Sequence, residues 1–506
     1  MKLLALICLF CLLELGLSSP IKFEQSRNSS FHRLSLFHKT GGVRISKDQN
    51  FATRTVATET FTQILDHING QPGTFQQRYW QSNQWYRSGG PAFIMLGGEA
   101  AESGSWVEAS NVEFGIMAQK AGAWLFVLEH RFYGESFATS DLSTENLKYL
   151  SSEQAIADAV TFIRAMIQKY PQLAGAKWVS FGGSYPGALA AWLRIRHPEI
   201  ISYAVGSSGP VQAEVDFYQY LELVMNSITK TDAGCSDSIK NGFSQIAQLV
   251  QTAAGRKTLK STFDFCEDLN PSNTEDLSTF WQNLYIPYMY SVQYTSQNPD
   301  TSIPNAICRF HNDQSASVLD RMKNVNSFFD QTYGYTGCMS NNYNGMIHYY
   351  QDTSLKSSLA ETRSFIWQTC TEFGWFQTSN SPTAGSWLGG QNNLPSSYFI
   401  KQCADIFKLD INADYVNQVV GNTNSYYGGK DMSDASYIIL PSGTFDPWSA
   451  LGKLASTNQN IVPVVMEGAS HCQDMIAATA QDSAALTSGR AKIQSTLLGW
   501  LGFSEN

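Results

Sequence analysis

Phe181-Gly182-Gly183-Ser184-Tyr185-Pro186-Gly187 separates two runs of opposite character. Before it, Lys177 to Phe181 is short and apolar, as a buried strand is; after it, Ala188-Leu189-Ala190-Ala191-Trp192-Leu193 has the composition of a helix. A serine flanked by glycines between strand and helix sits on a turn so tight that its hydroxyl projects above the sheet. That geometry suits a nucleophile. A plain elbow of this kind repeats glycine two residues after the serine, whereas here Pro186 holds that place and glycine comes at 187. Proline is acceptable there only if the helix starts immediately after Ser184, where a first-turn N–H has no intrahelical partner.

Working outward, the same strand signal recurs. Pro91-Ala92-Phe93-Ile94-Met95-Leu96 is an apolar run stopped by Gly97-Gly98-Glu99, and Ala123 to Leu128 is another, followed by Glu129-His130-Arg131-Phe132-Tyr133-Gly134. Phe61 to Trp85 mixes aromatic and polar residues as antiparallel strands do. Ile156, Val160, Ile163, Ile167 and Tyr170 keep helical spacing ahead of the serine strand, and a further strand is expected at Ile200 to Val205. Strands alternating with helices imply an α/β fold, with a mostly parallel sheet covered on both faces. The pattern breaks after Pro210 and resumes only at Tyr437 to Leu440 and Ile461 to Val465, before a closing helix with Leu486, Ile493, Leu497 and Leu501 on one stripe. Residues 59–210 and 431–506 therefore read as an α/β-hydrolase domain. Residues 211–430 read as a largely helical cap inserted in it.

Met1-Lys2 and the apolar run Leu3 to Leu17 read as a secretory signal peptide over 1–18, too short for a lasting membrane span. The basic stretch 19–58 reads as either a removable pro-segment or a flexible tail. Asn28-Ser29-Ser30 is a glycosylation sequon. Past residue 55 the chain carries 26 Lys/Arg against 40 Asp/Glu, and so acidic a body argues against a nucleic-acid surface. It fits the secretory pathway, with the lysosome or the outside of the cell as destination. Six cysteines fall between Cys235 and Cys403 and would allow up to three bridges in an oxidising compartment; Cys472 is left over, and reads as a small buried side chain ahead of the alternative, a thiol made reactive by the histidine before it. Their spacing matches no zinc motif. No metal or cofactor is expected.

A serine hydroxyl needs a base to take its proton and, usually, a carboxylate to orient that base. In an α/β-hydrolase the acid and then the histidine follow the serine, each on a loop after a later strand. His471 lies after the last strand and before the last helix, where the base belongs. Asp446 follows the preceding strand through Pro441-Ser442-Gly443-Thr444-Phe445 and is preferred as the acid. Glu467, four residues before His471, is its rival. The oxyanion donors expected are the backbone N–H of Tyr185, after the nucleophile, and one from Gly97-Gly98-Glu99, through Gly98 or Glu99.

Together, Glu129-His130-Arg131-Phe132-Tyr133-Gly134, Gly182-Gly183-Ser184-Tyr185, Asp446-Pro447-Trp448 and Gly468-Ala469-Ser470-His471 resemble the serine peptidases that include lysosomal Pro-Xaa carboxypeptidase, dipeptidyl peptidase II and thymus-specific serine protease, the last most of all. The resemblance runs from about Phe61 to the end of the chain. It implies Ser184 as nucleophile, Asp446 as orienting acid and His471 as general base, and it demotes Glu467. It also implies disulfides Cys235 to Cys308, Cys266 to Cys338 and Cys370 to Cys403. Members usually carry Gly or Ala where this chain has Pro186.

Several such peptidases cleave beside proline or a small residue near a peptide end. Trp448, two residues after the acid, is placed to wall a pocket for that flat apolar ring. The function expected is a secreted or lysosomal serine exopeptidase, Pro-Xaa carboxypeptidase-like or dipeptidyl peptidase-like, working through an acyl-enzyme. Glu99, Glu102 and Glu372 are conceivable partners for a substrate amine. Peptide substrates are the expected partners, with no nucleic acid and no membrane span; a homodimer is compatible with the chain. The alternatives are a non-catalytic secreted binding protein on the same fold, or an esterase.

Overall fold

The computed structural model describes residues 56–295, 297, 299–383 and 387–503. The signal-peptide and sequon readings at 1–18 and Asn28, and nearly all of the 19–58 segment, lie outside these residues.

Eight strands form one sheet: β1 (Glu59–Ile64), β2 (Thr74–Ser82), β3 (Ala92–Leu96), β4 (Trp124–Leu128), β5 (Trp178–Gly183), β6 (Ile201–Ser207), β7 (Ile438–Gly443) and β8 (Ile461–Met466), in spatial order β1-β2-β4-β3-β5-β6-β7-β8. Only β2 runs antiparallel to its neighbours; every other adjacent pair is parallel. The strand residues alternate between two cores. Ile94, Leu96, Phe126, Trp178 and Ala204 point to one face, while Phe93, Met95, Val127, Val179, Phe181 and Val205 point to the other. Helices cover both, which is why β3 and β4 are apolar at every position. On the second face lie α1 (Glu113–Ala121), through Phe114 and Met117, and the closing helix, through Leu486, Ile493 and Leu497. On the first lie α2 (Ser152–Lys169), with the stripe Ile156, Val160 and Ile163, and α3 (Tyr185–Arg196), with Leu189, Trp192 and Leu193. Each such side chain removed from water contributes roughly 1.5–3 kcal/mol. This is the α/β-hydrolase fold.

β7 differs from its reading at both ends. Tyr437 is left out at φ +61°, exposed, and the strand runs on through Pro441 rather than stopping before it. Pro441 faces β6, where its carbonyl accepts from the Ser208 N–H at 2.7 Å, so the proline costs this side a single N–H donor and the strand continues.

Between β6 and β7 the chain leaves the sheet for a mostly helical excursion, which includes α4 (Thr274–Gln293). Disulfides join Cys235 to Cys308, Cys266 to Cys338 and Cys370 to Cys403, all within it. Closing loops of this length stabilises a fold by about 2–4 kcal/mol each. No helix of the described residues is long and apolar enough to cross a membrane.

Candidate active site

Ser184 stands between β5 and α3 at φ +64° and ψ −132°, a region that costs a residue with a Cβ about 1–3 kcal/mol. The backbone around it is fully engaged. Its N–H donates to Ser207 on β6 at 2.9 Å, and its carbonyl accepts from Gly187 at 2.9 Å and Ala188 at 3.1 Å. The helix therefore starts at Tyr185, and Pro186 occupies its first turn, where a missing N–H costs nothing. Gly182 is required by this crossing: a Cβ there would lie 2.0 Å from the Pro186 carbonyl oxygen.

His471 and Asp446 meet below the ends of β8 and β7. The imidazole Nδ1 donates to Asp446 Oδ1 at 2.8 Å, and the same oxygen accepts the Trp448 backbone N–H at 3.0 Å. Both side chains are fully buried. Burial disfavours the imidazolium, but the Asp446 carboxylate outweighs it, with Cys472 adding, and holds the histidine well above its usual range. His471 Nε2 has no hydrogen-bond partner among the described residues. Glu467 is elsewhere: it pairs with Lys230 at 3.3 Å, both side chains more than half exposed. Cys472 is buried and unbridged, and burial pushes its thiol up.

The loop after β3 comes up against the serine turn. A Cβ on Gly98 would lie 2.3 Å from Pro186 Cγ and 2.5 Å from its Cδ, so the proline ring needs glycine opposite it. The amide of Tyr185, first in α3, has no intrahelical acceptor. Glu99 follows in the same loop, 1% exposed, with Oε2 lacking a partner among the described residues. Burial pushes its carboxyl up to about 7, against the pull of its own amide and of the His471 charge. Of the other acids considered for an amine, Glu372 is taken by Ser152 and Gln368, and the backbone of Glu102 donates to Glu129.

Two residues that sequence reading left without a role fix Tyr185. Burial pushes His130 down to about 4, so the ring is neutral; its Nδ1–H donates to the Arg131 carbonyl at 2.7 Å, which leaves Nε2 to accept the Tyr185 hydroxyl at 3.0 Å. Gln368 donates to the same hydroxyl at 2.9 Å. Arg131 in turn grips Asp158 with two nitrogens at 2.6 Å. The Glu129 to Gly134 motif carried the signal for His130 and Arg131, while Gln368 lies in a helix of unremarkable composition.

Trp448, 8% exposed, packs on Phe217, Tyr220 and Trp375 with ring centroids 5.4 to 5.7 Å away, and lies 6.5 Å from the His471 ring. Trp375 also touches Tyr185 and stacks on Phe373. Trp448, Trp375, Phe376 and Phe399 line a narrow cavity, with Cys403 of a disulfide in its wall.

Over residues 63–493 the chain matches the family described as Serine carboxypeptidase S28. A Caenorhabditis elegans protein whose name makes it a candidate serine protease is 47% identical over 510 residues, 99% of each chain. Human thymus-specific serine protease is 30% identical, covering 87% of this chain and 85% of that one. Human lysosomal Pro-X carboxypeptidase is 25% identical, with 87% of each covered. Among solved structures, a Mycobacterium smegmatis proline iminopeptidase aligns with 88% of this chain and 99% of its own at 11% identity and a TM-score of 0.33.

Proposed function

Since the chain belongs to the Serine carboxypeptidase S28 family and is a serine peptidase, we propose that it is an exopeptidase of the secretory pathway, lysosomal or extracellular, that cuts peptides near one end, beside proline or a small residue, with Ser184, Asp446 and His471 as its triad. The observation that carries this reading is the strained Ser184 turn together with the buried His471 and Asp446 pair. Ser184 is only 4% exposed, and a nucleophile so enclosed suits a peptide end better than the middle of a folded chain. The names of the relatives, one a lysosomal Pro-X carboxypeptidase, support the terminus, the proline and the compartment. The disulfides suit an oxidising compartment.

In this mechanism Ser184 Oγ adds to the scissile carbonyl while its proton passes to His471 Nε2, the nitrogen left over once Asp446 has taken Nδ1–H. The N–H groups of Tyr185 and of Gly98 receive the oxyanion; losing one such donor typically costs about 10²–10³ in rate. His471 then gives its proton to the leaving amine, and an ester of Ser184 remains. Water, activated by the same histidine, releases the acid. The cavity beside Trp448 takes the residue next to the cut, its indole and that of Trp375 forming flat apolar walls for a proline ring.

Fluorophosphonate labelling of the mature protein with and without Ser184→Ala, followed by a peptide-library digest at pH 5 and pH 7, tests this. Labelling should vanish in the variant and turnover fall by roughly 10⁶. Cuts one residue from the carboxyl end would make it a carboxypeptidase, and cuts two residues from the amino end a dipeptidyl peptidase. Internal cuts would overturn the exopeptidase reading; intact peptides with cleaved esters would mean an esterase, and no labelling a binding protein.

A further inference from the structure

His471 has no regular element of its own. It follows β8 on a loop that bends through Gly468 at φ +73° and leaves through Cys472 at φ +54°. What holds its backbone comes from the excursion. The His471 N–H donates to the carbonyl of Gln293, the last residue of α4, at 3.0 Å. The His471 carbonyl accepts from Gln297 Nε2 at 2.6 Å. Between these contacts the Tyr294 ring meets the imidazole edge-on, with centroids 6.1 Å apart. The Gln293 side chain reaches the other half of the site: its Oε1 accepts Trp448 Nε1–H at 3.0 Å and the Tyr220 hydroxyl at 2.6 Å, and its Nε2 donates to the Tyr294 hydroxyl at 2.8 Å.

A base carried on a loop must be fixed by its surroundings, because a displacement of about 1 Å can cost 10²-fold in rate. We propose that Gln293 and Gln297 are positioning residues for His471: the end of α4 and the turn after it clamp both peptide groups of the base and the indole beside its acid, so the triad is competent only with the excursion seated on the sheet. This rests on Ser184, Asp446 and His471 being the triad.

Gln297→Met keeps the length of the side chain and removes its donor, whereas Gln297→Lys keeps a donor. The second-order rate of fluorophosphonate labelling should fall about five- to tenfold in the methionine variant and largely recover in the lysine variant. KM should hold in Gln297→Met and rise in Gln293→Met, where Trp448 loses its acceptor. The acid limb of the kcat/KM profile adds a readout that lost stability would not move. The titratable groups acting on the imidazole are Asp446, Cys472 and Glu99, with the ring of Tyr294, the residue after α4, against it. A loosened imidazole loses part of the Asp446 attraction that holds it up, so the limb should move to lower pH. A wild-type labelling rate with an unmoved limb in Gln297→Met, or an equal loss in Gln297→Lys, would overturn the proposal. Should the methionine variant not fold, Gln297→Asn, which shortens the donor's reach, is read in the same way. Ser184→Ala run alongside keeps the two readings apart, since labelling that survives it would remove the triad itself.

Discussion

Gly98 and Pro186 are one feature rather than two. The proline that breaks the usual elbow pattern is accommodated because a glycine faces its ring from the loop after β3, and that loop is where the second oxyanion donor is proposed. Gly98→Ala would drive a methyl group to 2.3 Å from the ring, so either the loop or the first turn of α3 must give. Overpacking of this kind costs about 1–3 kcal/mol. Activity should drop further than stability, by about tenfold or more, since donor aim is worth 10²–10³. Kinetics and a melting curve on the purified variant would check this; an unchanged kcat would separate Gly98 from the oxyanion site. The acid and base assignment divides as sharply. His471→Ala should abolish peptide cleavage, whereas Glu467→Gln should leave it untouched, because Glu467 sits in an exposed ion pair with Lys230, a kind worth about 0–1 kcal/mol. The opposite result would exchange their roles.

Among the elements, the three disulfides are expected to separate into two kinds. The Cys370 to Cys403 bridge has one sulfur-bearing residue in the wall of the Trp448 cavity, while the Cys266 to Cys338 bridge does not line it. Replacing either pair by serine should cost about 2–4 kcal/mol. Loss of the first should also raise KM for proline-containing peptides, and loss of the second should lower the melting temperature at constant KM. Equal KM changes would place the cavity outside the substrate path. The strands were legible because parallel strands buried on both faces must be apolar at every position, and Phe93 to Leu96 and Trp124 to Leu128 are. The serine turn was legible because only a strand-to-helix crossing explains glycines packed so closely around Ser184. The clamp at the end of α4 was not, because Gln293 and Gln297 lie some 180 residues from His471 and carry no pattern that ties them to it. Pro441 misled for a different reason: a strand survives the loss of one N–H where the proline carbonyl stays bonded, here to the Ser208 N–H that follows β6.

At the scale of the whole molecule, buried acids and buried imidazoles pull stability in opposite directions with pH. Burial pushes Glu99, Glu113 and Glu372 each up to about 7 from a starting value of 4.5. The folded chain therefore holds protons that the unfolded chain releases between those values. The stability these acids confer is complete below about pH 4.5 and is lost as pH rises through 7. Burial pushes His130 down to about 4 and His311 to about 3 from 6.5, so their contribution is complete above 6.5 and is lost as pH falls toward those values. Asp66, buried yet held down to about 2 by hydrogen bonds from Asn69, Gln154 and Ile68, also loses its share as the medium becomes strongly acidic. Three acids against two imidazoles leave one proton's worth of loss between pH 4.5 and 6.5, about 1.4 kcal/mol per pH unit. Above 6.5 only the acids and His471 still act, the histidine holding its proton beyond the ordinary range, and both lower stability as pH rises. The melting temperature should thus be highest in mildly acidic buffer and several degrees lower at pH 8 at constant ionic strength. Glu113→Gln tests the cause away from the triad, because Glu113 lies on α1 beneath the sheet, bonded to Gln494. It should lessen the fall in stability between about pH 4.5 and 7 and leave the curve below 4.5 unchanged. A melting temperature that climbs from pH 5.5 to 8, or a fall untouched by that substitution, would mean that the buried acids are already ionised in the folded chain.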